Sequence, residues 1–289
     1  MNKKSGQNGN ARGRDISTVQ TTGVAAIREP QRLKAITQSA PDSPGELWRF
    51  VQDSSPAFDL DCFDTDKLRS RGAIDGVAEA GRGNTVFFTL ADQPLVLRHY
   101  YRGGLIRHIS QSHYIFTGMQ RTRALCEFDM LLHLHEASLP APRPYACRVQ
   151  RHGLFYQASL ITHRLAGRTL AQRLIADGGL AMNGISDDSL WRQIGDVIAC
   201  FHIAGVYHAD LNAHNIMIDD DANVALLDFD RGRLRARPKV PSGPGWCLQN
   251  LNRLKRSINK IASVNAIDSW QHGFLLCQSQ WREVLASIK

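Results

Sequence analysis

Long apolar runs are missing from this 289-residue sequence. No stretch approaches the roughly eighteen uninterrupted apolar residues of a membrane-spanning helix. The opening residues MNKKSGQNGNARGRD also lack the apolar centre of a secretory signal. Any membrane contact is therefore expected to be peripheral. Cysteine is sparse and scattered, at positions 62, 126, 147, 200, 247 and 277, with no Cys-x-x-Cys pair. That spacing argues against a disulfide framework, and a reducing cytoplasm is the natural compartment. Acidic residues are in deficit, 27 Asp and Glu against 35 Lys and Arg, for a formal charge of +8. An anionic partner is expected: a nucleotide, a phosphorylated lipid, a membrane surface or nucleic acid. What the sequence does contain, 43% hydrophobic residues, supports a sizeable core, in one ordinary domain or one two-lobed domain with a tail.

The tail is residues 1–45, with seven Lys/Arg, three Asp/Glu and few large apolar side chains. Such a segment cannot offset its ordering entropy by burial, so it is expected to be disordered. A basic tether to anionic lipid or nucleic acid is the other reading. A linker near Pro41 to Gly45 precedes the apolar segment that starts at Trp48 and Phe50.

From Val77 to Tyr100 the pattern is of strands and turns, with Gly81-Arg82-Gly83 between two of the strands. Glycine lets backbone approach phosphate oxygens, so this loop is either a phosphate cover or a plain β-turn. Arg98 lies in the third strand, where a phosphate-pairing cation would stand. The basic run from Arg102 to Arg123 is either a site for an acidic acceptor or a solvated face. Residues 121–137 read as a helix with Leu125, Phe128, Met130, Leu131 and Leu132 at helical spacing. Glu127 flanks that stripe and can point at the sheet. His133 and His135, two apart on a helix, face different directions and do not read as a metal pair. Pro140, Pro142 and Pro144 force an extended passage into further strands. Residues 163–170 read as a hinge to a helical lobe.

A second helix spans about 187–204, N-capped by Ser186 and stopped at Gly205, with Leu190, Ile194, Val197, Ile198 and Phe201 as its apolar stripe. It leads into His208-Ala209-Asp210-Leu211-Asn212-Ala213-His214-Asn215, and a hairpin then brings in Asp228-Phe229-Asp230. An Asp and an Asn five residues apart, followed by an Asp after an apolar strand, is the spacing phosphoryl transfer needs. One carboxylate faces an acceptor hydroxyl; the amide and second carboxylate hold magnesium. Two more helices follow, from about Cys247 and up to Lys289. The first sets Leu248, Leu251, Leu254, Ile258 and Ile261 against Arg253, Lys255, Arg256 and Lys260. It reads as a core helix or a membrane-surface helix.

Taken in order, Gly81-Arg82-Gly83, Leu97-Arg98-His99-Tyr100, Arg102-Gly103-Gly104, Tyr114 to Gly118, Arg121-Thr122-Arg123, Leu139 to Pro144, Gly205 to Asn215 and Asp228 to Gly232 form one series. This series resembles the protein-kinase-like superfamily, near its lipopolysaccharide and RIO-type branch. More narrowly it is similar to 3-deoxy-D-manno-octulosonic acid (Kdo) kinases, over about residues 75–260. The resemblance implies an α+β, two-lobed protein-kinase-like fold: a small β-rich lobe over 46–162 and a mainly helical catalytic lobe over 163–289. It implies an ATP- and Mg2+-dependent kinase acting on the 4-hydroxyl of Kdo on a lipid A precursor. The enzyme would be peripheral at the cytoplasmic face of the inner membrane, with no nucleic-acid partner. Carried over by position, Asp210 is the catalytic base, and Asn215 and Asp228 are the metal ligands. Gly81, Arg82, Gly83, Arg98 and Glu127 bind the nucleotide. Ala209, where protein kinases carry an arginine, implies no phosphorylation switch. Asp230, in place of a glycine, implies a more fixed metal loop. His208 and His214 read as loop-packing residues, although His214 could instead contact the acceptor. A kinase of another small-molecule or protein acceptor, or a basic non-catalytic adaptor, is the alternative.

Overall fold

The computed structural model describes residues 33–39, 45–52, 58–77, 85–100, 114–236, 245–261 and 267–287. Among the described residues, eight strands build the first lobe: β1 (Ala35–Ser39), β2 (Glu46–Val51), β3 (Ile74–Val77), β4 (Thr85–Leu90), β5 (Gln93–His99), β6 (Tyr114–Ile115), β7 (Pro144–His152) and β8 (Phe155–His163). Their order is β1-β2-β7-β8-β5-β4-β3, with β6 paired to β8, and every pairing is antiparallel. Strand alternation assigns the two faces. Val86, Phe88, Leu95, Leu97 and Ile161 share a core with Cys62, Phe63 and Leu68, the last on the short helix α1 (Thr65–Ser70). Leu160, the residue before Ile161, points the other way with Cys147 and Val149, into the core that holds Leu125, Phe128 and Leu131 of helix α2 (Arg123–Glu136).

The tail boundary at residue 45 needs correction. Ala35–Ser39 is a strand whose register with β2 runs from Ala35↔Val51 to Ser39↔Leu47, and Leu33 is buried. Backbone ladder bonds order this segment more than side-chain burial does, so its polar composition conceals it. Residues 1–32, the linker at 40–44, Gly81-Arg82-Gly83 and Arg102 to His108 lie outside the described residues.

Residues 164–167 cross to the second lobe. There β9 (Arg168–Thr169) leads into α3 (Leu170–Asp177), whose N-terminus is closed by a capping box between Thr169 and Gln172. Helix α4 (Asp187–Ile203) follows, with Ser186 Oγ accepting the Ser189 N–H and Gly205 in the left-handed region at φ 79°. After it come β10 (Val206–Tyr207), β11 (Ile216–Ile218), β12 (Val224–Leu226), β13 (Arg233–Leu234), α5 (Gly245–Ile261) and α6 (Ile267–Ala286). Strands β11 and β12 form the expected hairpin, and β9 pairs with its outer edge. Helix α5 turns Trp246, Cys247, Leu251, Leu254 and Ile258 inward, so its apolar stripe belongs to the core.

Helices α4 and α6 pack at backbone distance. A Cβ on Gly195 would lie 2.3 Å from the Cys277 carbonyl oxygen, and one on Gly273 would lie 2.1 Å from Nε1 of the buried Trp191. Neither obstacle is a flexible chain end, so Gly273→Ala should destabilise by about 2 kcal/mol or more, as overpacking does. Denaturant unfolding checks this, and an unchanged midpoint would show that the helices can part without cost.

Candidate active site

The end of α4 and strand β10 deliver the chain to the loop at His208, where α5 holds it. Asn250 of α5 donates Nδ2–H to the His208 carbonyl at 2.7 Å and accepts the His208 N–H on Oδ1 at 3.2 Å. The same Oδ1 lies 3.3 Å from His202 Nε2, while Trp281 Nε1–H donates to His202 Nδ1 at 2.8 Å. The indole can only donate, so His202 carries its proton on Nε2 and passes a bond to Asn250. His208 is fixed likewise. Its Nε2 faces the Leu227 carbonyl at 2.8 Å and its Nδ1 accepts the Asp210 N–H at 3.1 Å. The ring also lies against Phe229, which stacks on Phe201 of α4. His208 is thus a packing residue that ties the Asp210 loop to the strand end at Leu227.

These interactions leave the Asp210 carboxylate at the surface, 58% exposed, with Arg253 Nη1 of α5 at 3.2 Å from its Oδ1. The Asp210 carbonyl accepts from Asn215 Nδ2 at 2.9 Å and from Asn212 Nδ2 at 3.1 Å. The Leu227 N–H donates to the Asn215 carbonyl at 2.9 Å, so backbone bonds join the two halves of the site.

Asp228 sits in the left-handed region at φ 61°, a conformation Asp tolerates better than most residues. Its Oδ1 accepts the Asp230 N–H at 3.3 Å and lies 2.7 Å from Arg98 Nη1. The Arg98 guanidinium also pairs with Glu127, whose side chain is 4% exposed. Tyr100 Oη donates to Glu127 Oε2 at 2.5 Å and accepts from Arg98 Nη2 at 3.1 Å. Burial raises the Glu127 carboxyl above its usual value, against the pull of Arg98. Burial opposes the charge on Arg98 as well, but Glu127, Tyr100 and Asp228 together hold it firmly protonated. Arg123 Nε donates to Asp230 Oδ1 at 2.8 Å, with a second contact from Nη2 to Oδ2. This two-point grip is a physical means of fixing the loop where Asp230 stands in place of glycine.

Arg98, Glu127 and Asp228 thus meet in one cluster, and Asp210 and Asn215 meet in another that is joined to it through Leu227. Gly81, Arg82 and Gly83 lie outside the described residues. Asn250 has no place in the sequence reading, Arg253 stands there only as a basic position on its helix, and Tyr100, Arg123 and Asp230 stand there only within the motif series, without the contacts they make. Among the described residues no three His, Cys, Asp or Glu side chains gather as a metal cage. Magnesium needs no such cage, since one or two protein oxygens with phosphate and water complete its shell. The donor chemistry fits: Asn215 uses Nδ2 on the Asp210 carbonyl, which turns its amide oxygen the other way, and Asp228 adds a carboxylate.

The buried imidazoles make the fold acid-sensitive. Burial lowers His202 from 6.5 to about 4, and lowers His208 too. The folded protein therefore binds fewer protons than the unfolded chain between those values, and stability drops as pH falls from 6.5 toward 4. Each pH unit in that window costs up to about 1.4 kcal/mol for His202, and His208 acts in the same direction. Unfolding midpoints measured across that range should decline steadily, and a flat profile would show that the rings are not held neutral.

The family described as lipopolysaccharide kinase (Kdo/WaaP) matches residues 70–273. The 3-deoxy-D-manno-octulosonic acid kinase of Stenotrophomonas maltophilia is 40% identical over 199 residues, covering 68% of this chain and 75% of that protein. The enzyme of the same name from Vibrio vulnificus is 41% identical over 207 residues, with coverage of 72% and 81%. That from Vibrio cholerae is 39% identical over 222 residues, with coverage of 77% and 89%. A solved structure of WaaP in complex with acyl carrier protein superposes at a TM-score of 0.43 and 16% identity, covering 78% of this chain and 88% of that one. The matched span runs from the end of α1 into α6 and takes in Arg98, Glu127, Asp210, Asn215 and Asp228 together. On that match this chain belongs to the lipopolysaccharide kinase (Kdo/WaaP) family and is a phosphotransferase.

Proposed function

We propose that this kinase transfers the γ-phosphate of ATP to the 4-hydroxyl of Kdo on a lipid A precursor, acting as a peripheral protein at the cytoplasmic face of the inner membrane. The observation that carries the reading is the exposed Asp210 carboxylate, held at its backbone by Asn215 and tied through Leu227 to Asp228. Asp210 orients the acceptor hydroxyl and takes its proton as the phosphoryl group leaves ATP. Arg98, aimed by Glu127 and Tyr100, pairs with phosphate oxygens. Gly81, Arg82 and Gly83 are further nucleotide-binding residues on the family resemblance. Asn215 and Asp228 hold magnesium, which when bound neutralises charge on the transferring phosphate. The basic surplus of the chain suits an acceptor that carries a sugar carboxylate and lipid phosphates.

Mass spectrometry of the product formed from ATP, magnesium and Kdo-lipid tests both acceptor and position. One added phosphate on the Kdo 4-hydroxyl is the expected result. Kdo-lipid that stays inert while another acceptor in a panel is phosphorylated would reassign the substrate. Nucleotide binding without turnover would favour an adaptor.

A further inference from the structure

Helix α5 meets the catalytic loop at a helical repeat. Asn250 holds His208, Arg253 reaches Asp210, and Ser257 Oγ accepts the Ala213 N–H at 3.1 Å. Steps of three and four residues keep these three side chains on one face. The loop itself offers no lysine or arginine between Asp210 and Asn215, and Arg98 is engaged by Glu127 and Asp228. Among the described residues the cation paired with the Asp210 carboxylate is Arg253 of α5. Arg256 and Lys260 stand three and seven residues beyond Arg253 on the same flank, both exposed, and extend the positive charge about 10 Å along the helix. Lys255 points elsewhere, with its ammonium over the Phe274 ring.

We infer that this flank, Arg253 with Arg256 and Lys260, binds the acceptor through an anionic group, carboxylate or phosphate, carried near the hydroxyl that Asp210 orients. The inference rests on the function proposed above and names the part of the site that selects an acidic acceptor. Arg253 is 43% exposed and commits Nη1 to Asp210. A guanidinium has five N–H donors in a fork, so the remaining edge can grip a carboxylate or phosphate in two-point fashion. Charge that continues along α5 to Lys260 suits a large acceptor with several acidic groups. A single transferring phosphate would need only the cation nearest Asp210.

Steady-state kinetics on two acceptors test this: Kdo-lipid in vesicles and its soluble de-acylated oligosaccharide. Arg253→Ala should raise KM for both acceptors about tenfold, and Arg256→Ala and Lys260→Ala about threefold each. KM for ATP should move by less than about twofold. Arg253→Lys should recover part of the loss, and thermal unfolding shows whether each variant is folded. Lys255→Met, which removes the same charge from another face, should match the unaltered enzyme. The inference is overturned if the acceptor KM stays constant in all variants, or if the KM for ATP rises instead. A rise confined to vesicle-borne acceptor also overturns it, because the flank is then a membrane-docking surface. An unaltered enzyme that cannot phosphorylate either acceptor overturns the proposed function together with this inference. Turnover by the unaltered enzyme with unaffected variants removes the inference alone.

Discussion

Asp210→Ala is expected to remove phosphate transfer, by about a thousandfold or more, in a protein that still folds. That loss is expected from the base role proposed for Asp210, since a positioned base typically contributes about 10² to 10⁴ in rate, compounded by the lost orientation of the acceptor hydroxyl. The fold survives because the carboxylate makes little of it. The bonds that place the loop run through the Asp210 backbone: its N–H to His208, and its carbonyl to Asn212 and Asn215. Alanine keeps all of them. Among the described residues the ion pair removed, with Arg253, joins two exposed side chains and is worth less than about 1 kcal/mol. Transfer assays alongside unfolding curves decide the matter, and a folded Asp210→Ala variant with retained activity would take the base role away from this residue.

Asn250→Ala has the opposite profile, a large loss of stability that carries activity down with it. Asn250 is buried, and its truncation strips partners from the His208 N–H, the His208 carbonyl and His202 Nε2. Buried polar groups left unsatisfied cost about 1 to 3 kcal/mol each. A total of about 3 kcal/mol or more is expected, which lowers the unfolding temperature by roughly 10 °C. Activity should fall further than the unfolded fraction alone accounts for, because His208 no longer holds the turn that presents Asp210. Calorimetry paired with kcat at a temperature where the variant is folded separates the two effects. A stable variant with normal kcat would mean that the loop holds itself in place.

These two residues mark the boundary of what the sequence discloses. Asp210, Asn215 and Asp228 could be picked out as the proposed base and proposed metal ligands because a kinase-like pattern confines them to short, ordered spacings. Arg98 and Glu127 were legible as a cation in a strand and a carboxylate on the flank of an apolar stripe, and the two side chains do pair. Helix α4 announced itself through Ser186, its apolar periodicity and Gly205. Asn250 and Arg253 showed nothing of the kind. Their partners lie 42 and 43 residues away, and a polar residue in a helix reads as solvated until the packing shows what lies above it. Strand β1 was hidden for a related reason, since ladder bonds do not depend on an apolar side-chain pattern.

By itself, then, the sequence determined the chemistry and the lobes: which residue types stand at which spacing, and where helical and alternating patterns change. Local rules suffice there, because periodicity, capping and loop spacing act within a few residues. Only the tertiary structure decided how the site is held and faced. It set α5 against the catalytic loop, brought Arg98 onto Asp228, locked Asp230 with Arg123, and packed α4 on α6 through Gly195 and Gly273. Those are contacts between distant segments, chosen by the shape of the shared core and the pairing of buried polar groups.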